Sequence, residues 1–284
     1  HSAGAPYFHQ SYPDVPIYVL GTTARLLPIM WNDCLRFSGR EDCPWLMSRR
    51  GCLRTAANLN CGRHDQWYQL SSLMELKFSD AGHIPGAAAA RLRTPFGTIV
   101  YSGDVSLSPR LTLRPNGIDA ADGPVHILFM DSTNGDLVSE NNGNGVHDDL
   151  IIAAQPILAQ GGSILNPAFS LGRSAEMAAL WKLAQEQGRL PGIPVYLDGM
   201  ALAIAEVLKD DPDMPDSLRH LFEGEHAVRR VKDSVHRQKI IEDILAGRKQ
   251  ALVITGSGMM NGGPVMSYFR AMSNLSQHGL FFVG

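Results

Sequence analysis

The sequence predicts an α/β protein of two domains, the first built on a mostly antiparallel or mixed sheet and the second on a parallel sheet. Short apolar runs follow one another closely through residues 1–130, as in sheets whose strands are joined by turns. A polar, glycine-rich loop is predicted at residues 140–145, and the pattern of predicted secondary structure changes after it. Beyond it, strand-like and helix-like segments alternate, which is the rhythm of βαβ units. A chain of 284 residues is long enough for two such domains.

In the first domain, residues 15–20 predict a strand, and residues 22–27 predict a helix start with a threonine cap. Residues 40–66, rich in arginine and cysteine, predict no regular element. Further strands are predicted at residues 73–78, 87–92, 98–101 and 125–130.

In the second domain, ligands are expected at the carboxyl ends of the parallel strands. Strands are predicted at residues 163–166, 195–198 and 251–255, and helices at residues 147–160, 174–187, 201–209 and 264–272. Residues 280–284 predict a buried strand whose neighbours would follow it. Because the chain also opens on His1 without a methionine, we expect both termini to be cuts.

The composition is that of an ordinary globular protein, with 44% hydrophobic and 19% charged residues. The formal net charge of −3 gives no support to nucleic-acid binding, so any such site must be a local patch. No apolar run approaches the ~18 residues of a membrane span, and no signal segment opens the chain. We therefore expect a cytoplasmic protein without a membrane partner.

The four cysteines, Cys34, Cys43, Cys52 and Cys61, follow one another at intervals of nine residues. Zinc sites made of cysteine normally use pairs two to four residues apart. Free or buried thiols are the favoured interpretation, and disulfides or an unusual metal site are the alternatives.

Three residues of the first domain follow predicted strands. His83 lies in a glycine-flanked turn, Asp104 follows a strand that ends on Ser102-Gly103, and Asp131 ends the strand at 125–130. Histidine and carboxylate groups held at strand ends suit a hydrolytic metal site, and a carboxylate can bridge two metals. Taken singly, each has a plainer interpretation, as a turn histidine or an acid that ends a strand.

Two segments of the second domain suit a phosphate group. Residues 164–173 run from a strand through a loop to a helix and end on Arg173, whose guanidinium could pair with phosphate. Residues 255–264 form a glycine-rich turn that includes Ser257, Gly258, Asn261, Gly262 and Gly263. The alternative in both cases is a tight turn that needs glycine. Neither segment ends in Gly-Lys-Ser/Thr, so a nucleoside triphosphatase loop is excluded.

Together, these segments resemble the β-CASP metallo-β-lactamase family of RNA and DNA nucleases. Seven stretches match its landmarks in order, at residues 1–4, 81–86, 101–104, 131–136, 167–173, 195–201 and 257–263. The resemblance implies a partial metallo-β-lactamase αββα sandwich at residues 1–136 and a β-CASP domain of parallel βαβ type at residues 137–284.

The resemblance also implies a metal-dependent hydrolase with two zinc ions, which cleaves phosphodiesters of single-stranded RNA, with DNA possible and a homodimer possible. His1 and His83 would each ligate a zinc ion and Asp104 would bridge the two. Asp131 would orient the general acid, and Arg173 with residues 257–263 would hold phosphates in a cleft between the domains. The family's leading His-x-His-x-Asp motif and its two late histidine motifs are absent, so we expect this chain by itself to bind zinc poorly and to be inactive.

Two alternatives remain open. The chain could come from a catalytically dead β-CASP paralogue that serves as an RNA-binding or scaffold subunit. It could also come from a metallo-β-lactamase-fold hydrolase of a small molecule, although such an enzyme would not need a second domain that holds phosphate.

Overall fold

The computed structural model describes residues 4–37, 48–108, 110–136, 146–224 and 227–283. The chain forms two compact units. The first comprises residues 1–107 and 115–136, and the second comprises residues 108–114 and 137–284. The short segment at 108–114 thus belongs to the second unit, which the sequence did not indicate.

The first unit holds a mixed sheet of five strands in the order β3-β4-β5-β6-β7. Its strands are β3 (Trp67–Ser71), β4 (Met74–Asp80), β5 (Ala88–Thr94), β6 (Gly97–Tyr101) and β7 (Ile127–Phe129). The pairs from β3 to β6 are antiparallel, whereas β7 runs parallel to β6. The mixed sheet expected from closely spaced strands is therefore confirmed. The edge strand β7 leaves its apolar side chains exposed.

Within the part of this unit that the structure describes, three helices and a small parallel sheet accompany the mixed sheet. The helices are α1 (Ala5–Ser11), α2 (Gly21–Phe37) and α3 (Arg49–Ala57), and the strands are β1 (Ile17–Leu20) and β2 (Leu59–Gly62). Leu27 and Trp31, four residues apart on α2, pack with Cys52 of α3 because that spacing places them on one helix face.

Two predictions for this unit are wrong. The predicted threonine cap is absent, because α2 already begins at Gly21 and the Thr23 hydroxyl donates to the Gly86 carbonyl at 2.5 Å. Residues 49–57 and 59–62 are regular rather than irregular. The reason for the helix is a serine cap, since the Ser48 hydroxyl accepts from the Gly51 N–H at 2.9 Å. Residues 38–47 lie outside the described residues.

Cys34, Cys52 and Cys61 are free thiols, and Cys43 lies outside the described residues. Burial raises the pKa of the Cys34 thiol, with a smaller effect from Asp33. Burial also raises the pKa of the Cys52 thiol. Both thiols are therefore protonated at neutral pH, which makes them poor metal ligands and poor nucleophiles.

The second unit is a parallel sheet in the order β10-β9-β11-β8-β12, as the βαβ rhythm predicted. Its strands are β8 (Ile164–Pro167), β9 (Val195–Asp198), β10 (Arg229–Arg230), β11 (Leu252–Thr255) and β12 (Gly279–Leu280). Its helices are α4 (Val146–Ala159), α5 (Arg173–Glu186), α6 (Met200–Leu208), α7 (Asp216–Arg219), α8 (Ser234–Leu245) and α9 (Val265–Met272). The middle strands are buried on both faces, as a parallel sheet covered by helices requires.

The segment at 108–114 is held to the second unit by a buried carboxylate. Glu176 of α5 accepts hydrogen bonds from the Leu111 N–H at 2.7 Å, the Thr112 N–H at 3.0 Å and the Thr112 hydroxyl at 2.8 Å. Leu111 also packs against the core of this unit.

The strand predicted at residues 280–284 is shorter and less buried than expected. Only Gly279–Leu280 pairs with β8, and Leu280 and Phe282 are exposed. Phe281 packs against Trp181 with ring centroids 6.1 Å apart. The segment therefore covers the core with alternate residues, which a uniformly apolar run does not reveal.

Candidate functional site

The candidate residues of the first unit meet at one edge of its sheet. Because β4 and β6 are both antiparallel to β5, they run in the same direction, and β7 runs parallel to β6. The carboxyl ends of these three strands therefore lie at the same edge. His83 follows β4, Asp104 follows β6 and Asp131 follows β7.

The turn that carries His83 has a fixed backbone. The Asp80 Oδ1 atom accepts a hydrogen bond from the Gly82 N–H at 2.8 Å. Gly82 has a φ of +66°, and a Cβ atom there would lie 2.7 Å from the Ser106 carbonyl oxygen. Only glycine fits both conditions, so this turn holds His83 in one place.

A second histidine approaches the same turn. His64 Nε2 lies 3.7 Å from Asp80 Oδ2, and both side chains are largely buried. The sequence did not indicate this pair, because His64 lies in a short connection and bridges to β4 from outside the named strands. The available signal for Asp80 was an acid two residues before Gly82, the first residue of the bend that carries His83.

His83 and Asp104 are adjacent. His83 Nε2 lies 3.8 Å from Asp104 Oδ2, and both side chains are partly exposed. Gly103, with a φ of +57°, turns the chain so that Asp104 follows the end of β6.

Asp131 acts as an acceptor that ties two turns together. Its carboxylate accepts from the Thr133 hydroxyl at 2.7 Å, the Thr133 N–H at 2.9 Å and the Val105 N–H at 3.3 Å. The Thr133 hydroxyl, the N–H groups of Thr133 and Val105, and nearby His83 lower the pKa of Asp131. The carboxylate is therefore ionised at neutral pH and positions the turn that carries Asp104.

His83 and Asp104 are groups that zinc accepts, but they do not complete a metal centre. A two-zinc site needs about four ligands for each ion. Within the described ranges, no group of three or more His, Cys, Asp or Glu residues could hold a metal ion. His1, the third predicted ligand, lies outside those ranges. The described residues therefore fit only part of such a centre.

In the second unit, three predicted segments meet at the carboxyl edge of the sheet. Thr255 at the end of β11 lies beside Pro167 of β8 and Asp198 of β9 in the strand register. The turns that follow these strands are thus neighbours. The Ala168 N–H donates to the Thr255 carbonyl at 3.0 Å.

The glycine-rich turn packs closely on the loop after β8. A Cβ atom at Gly258 would lie 2.8 Å from the Phe169 nitrogen, so only glycine allows this approach. The Ser257 hydroxyl donates to Asn261 Oδ1 at 2.5 Å and closes the turn. Gly262 and Gly263 both have positive φ values, and Asn261 is exposed. Arg173 begins α5 directly after the neighbouring loop and is partly buried.

A buried ion pair lies at the end of β9. Asp198, which is 2% exposed, accepts from Arg237 of α8 in two bonds of 2.6 and 3.0 Å. The Tyr268 hydroxyl of α9 donates to the same carboxylate at 3.0 Å. Burial and the Asp198 charge raise the pKa of Tyr268, so it stays a hydrogen-bond donor. This network fixes α9, the helix that follows the glycine-rich turn.

The sequence of this chain is similar to those of known proteins. The sequence profile of the Beta-Casp domain matches residues 176–284. The whole chain aligns at 28% identity with "RNase aCSPSF2" of Saccharolobus solfataricus, over 54% of that protein's length.

Residues 176–284 thus carry a Beta-Casp domain, and the chain is similar over its whole length to a protein named as an RNase. It is also 25% identical to an "RNase J-like protein" of Methanocaldococcus jannaschii, over 96% of this chain and 62% of that protein. It is 25% identical to "Transcription termination factor FttA" of Methanothermobacter thermautotrophicus, over 100% of this chain and 45% of that protein. The chain thus spans less than two thirds of the length of each of these relatives. Among the helices in the described ranges, none is long and apolar enough to cross a membrane.

Proposed function

We propose that this β-CASP chain forms the larger part of the core of a zinc-dependent ribonuclease that acts on single-stranded RNA in the cytoplasm. The observation that supports this most is the convergence of His83, Asp104 and Asp131 at one sheet edge, with His83 Nε2 and Asp104 Oδ2 3.8 Å apart. The names of the relatives include ribonucleases, which favours RNA over DNA as the substrate.

In this proposal, His83 and Asp104 would be two of the ligands that hold a two-zinc centre. Zinc supplies a Lewis acid that activates water for phosphodiester hydrolysis. Asp131 does not donate a proton, because its lowered pKa keeps it ionised, and instead holds the turn beside Asp104. The remaining zinc ligands have to come from outside the described residues.

The second unit would bind RNA phosphates through its carboxyl edge. Arg173 offers a guanidinium group, and the turn at residues 257–263 offers backbone N–H donors beside glycines that admit an anion. The buried acid at this edge, Asp198, is neutralised by Arg237 and so does not repel phosphate.

A second candidate is an RNA-binding or scaffold subunit without catalysis. It is favoured by the lack of a third metal-binding side chain beside His83 and Asp104 in the described ranges. Both candidate functions predict RNA binding, but only the ribonuclease predicts RNA cleavage.

The test uses the full-length gene product that contains this sequence, with a labelled single-stranded RNA and added zinc. We expect zinc-dependent cleavage that Asp104→Ala abolishes together with stoichiometric zinc binding. The matched control Asp14→Ala, at an exposed acid between α1 and β1, should keep both cleavage and zinc binding. RNA binding without cleavage would support the scaffold, and cleavage and zinc retained in Asp104→Ala would contradict the assignment of Asp104.

A further inference from the structure

Two large apolar side chains are exposed at the carboxyl edge of the second unit. Phe169, in the loop after β8, is 47% exposed, and Met259, in the glycine-rich turn after β11, is 71% exposed. Scattered surface apolar residues need no explanation, but these two lie on adjacent turns at the proposed phosphate site. Their exposure there points to an apolar part of the ligand.

The backbone of Phe169 is fixed by hydrogen bonds. Its carbonyl accepts from the Ser174 N–H at 3.1 Å and from the Ser174 hydroxyl at 2.9 Å. The preceding residue, Ala168, is tied to Thr255 of β11. An aromatic side chain on a fixed backbone loses little conformational entropy when a ligand covers it.

Gly258 supports the phenyl ring from the neighbouring turn. A Cβ atom at Gly258 would lie 3.3 Å from Phe169 Cδ2, so the glycine backbone lies directly beside the ring. The ring therefore touches the glycine backbone at one of its atoms, while almost half of the residue's surface remains open. An aromatic ring with such an open surface can serve as a platform for a flat ligand.

We propose that Phe169, backed by Gly258, stacks against one nucleobase of single-stranded RNA, with Met259 providing adaptable apolar contact beside it. This inference rests on the proposed function and names the part of the substrate that the second unit recognises. Every base presents a π face, so stacking tolerates any sequence. In a duplex both faces of a base are stacked, so the platform selects single strands.

The charges around the platform suit a nucleotide. Arg173 begins α5 four residues after Phe169, and the turn at residues 257–263 lies against Phe169 through Gly258. The carboxylate of Asp198 is paired with Arg237 and buried. Phosphate can therefore lie at the glycine-rich turn while the attached base covers Phe169.

The experiment measures the affinity of the present chain for a short fluorescent single-stranded RNA by anisotropy. Stacking of one base on an aromatic residue is worth ~1–3 kcal/mol, so Phe169→Ala should weaken binding by about 5- to 150-fold. Phe169→Trp should retain binding because it keeps a π face. Phe96→Ala is the matched control, since Phe96 is 96% exposed in the turn between β5 and β6 and should not alter affinity.

A second measurement compares RNA ligands that differ in their bases. The wild-type chain should bind an RNA of the same length without bases more weakly than the intact RNA, and Phe169→Ala should not weaken the abasic complex further. A duplex of the same sequence should also bind more weakly.

Equal affinity of wild type and Phe169→Ala for intact RNA would overturn the platform and leave the phosphate site standing. Equal loss of affinity for intact and abasic RNA in Phe169→Ala would also overturn it, because such a loss reports a structural defect. If the wild-type chain binds no RNA at all, the platform and the RNA site of the proposed function both fail.

Discussion

The two sheet edges of this protein use carboxylates in opposite ways. At the edge of the first unit, the side chains of Asp104 and His83 are partly exposed and lie 3.8 Å apart. At the edge of the second unit, Asp198 is buried and already paired with Arg237 and Tyr268. Both edges collect strand ends, but the first carries a partly exposed histidine and carboxylate, whereas the second carries exposed apolar side chains beside a carboxylate that is already paired. The position of a carboxylate at a strand end therefore does not by itself indicate its role.

The largest expected effect is a loss of stability, and it tests the structural role of the buried Asp198 carboxylate. Asp198→Ala leaves the Arg237 charge unpaired in a largely buried place, which should destabilise the second unit by about 3–5 kcal/mol. Amide hydrogen exchange should show lost protection in β9 and β11 and unchanged protection in β4 and β5. Asp198→Asn, which keeps the shape and one acceptor, should cost less. Equal loss in both units would contradict a role confined to the second.

An intermediate effect is expected at the turns of the first unit. Gly82→Ala combines a φ of +66° with a backbone oxygen 2.7 Å from the new Cβ atom, and should cost about 2–3 kcal/mol. Gly103→Ala has a similar φ of +57° but no atom closer than 3.6 Å, so it should cost about 1 kcal/mol. Urea denaturation of the two variants measures the difference. Equal losses of stability in the two variants would show that the backbone at Ser106 moves away from the new Cβ atom at little cost.

The smallest effect concerns the ionisation of Asp131. Thr133→Val removes the hydroxyl donor that contributes most to the lowered pKa, so the pKa should rise toward its ordinary value. Because the folded pKa is below the unfolded one, the stabilisation is present above the unfolded pKa and is lost as pH falls through the folded value. Carboxyl NMR titration of wild type and Thr133→Val measures this shift. An unchanged pKa would assign the shift to the backbone donors instead.

The parts of the fold that follow local patterns could be predicted from the sequence. Strand ends that carry His83, Asp104 and Asp131 are visible as apolar runs followed by polar turns, and the shared direction of the strands brings them together. The β9 strand and the glycine-rich turn were predicted for the same reason.

Contacts between distant residues could not be predicted. Nothing near Arg237 indicates that it pairs with Asp198, 39 residues earlier, and Tyr268 resembles an ordinary core aromatic residue. Helix α8 was missed, although Asp233 caps it by accepting from the His236 N–H at 2.8 Å. The apolar positions Ile240, Ile241 and Ile244, which form one buried face, were the other available signal.

The small segment at residues 108–114 limits how this protein can be dissected. A single cut after residue 136 would give a second piece that lacks Leu111 and Thr112, the donors to Glu176. In that piece the Glu176 carboxylate would lose its main hydrogen-bond donors. The free energy of unfolding of the piece would fall by on the order of several kcal/mol. A second unit that folds independently therefore requires residues 108–114 as well. They can be joined to its amino terminus or added in trans as a peptide.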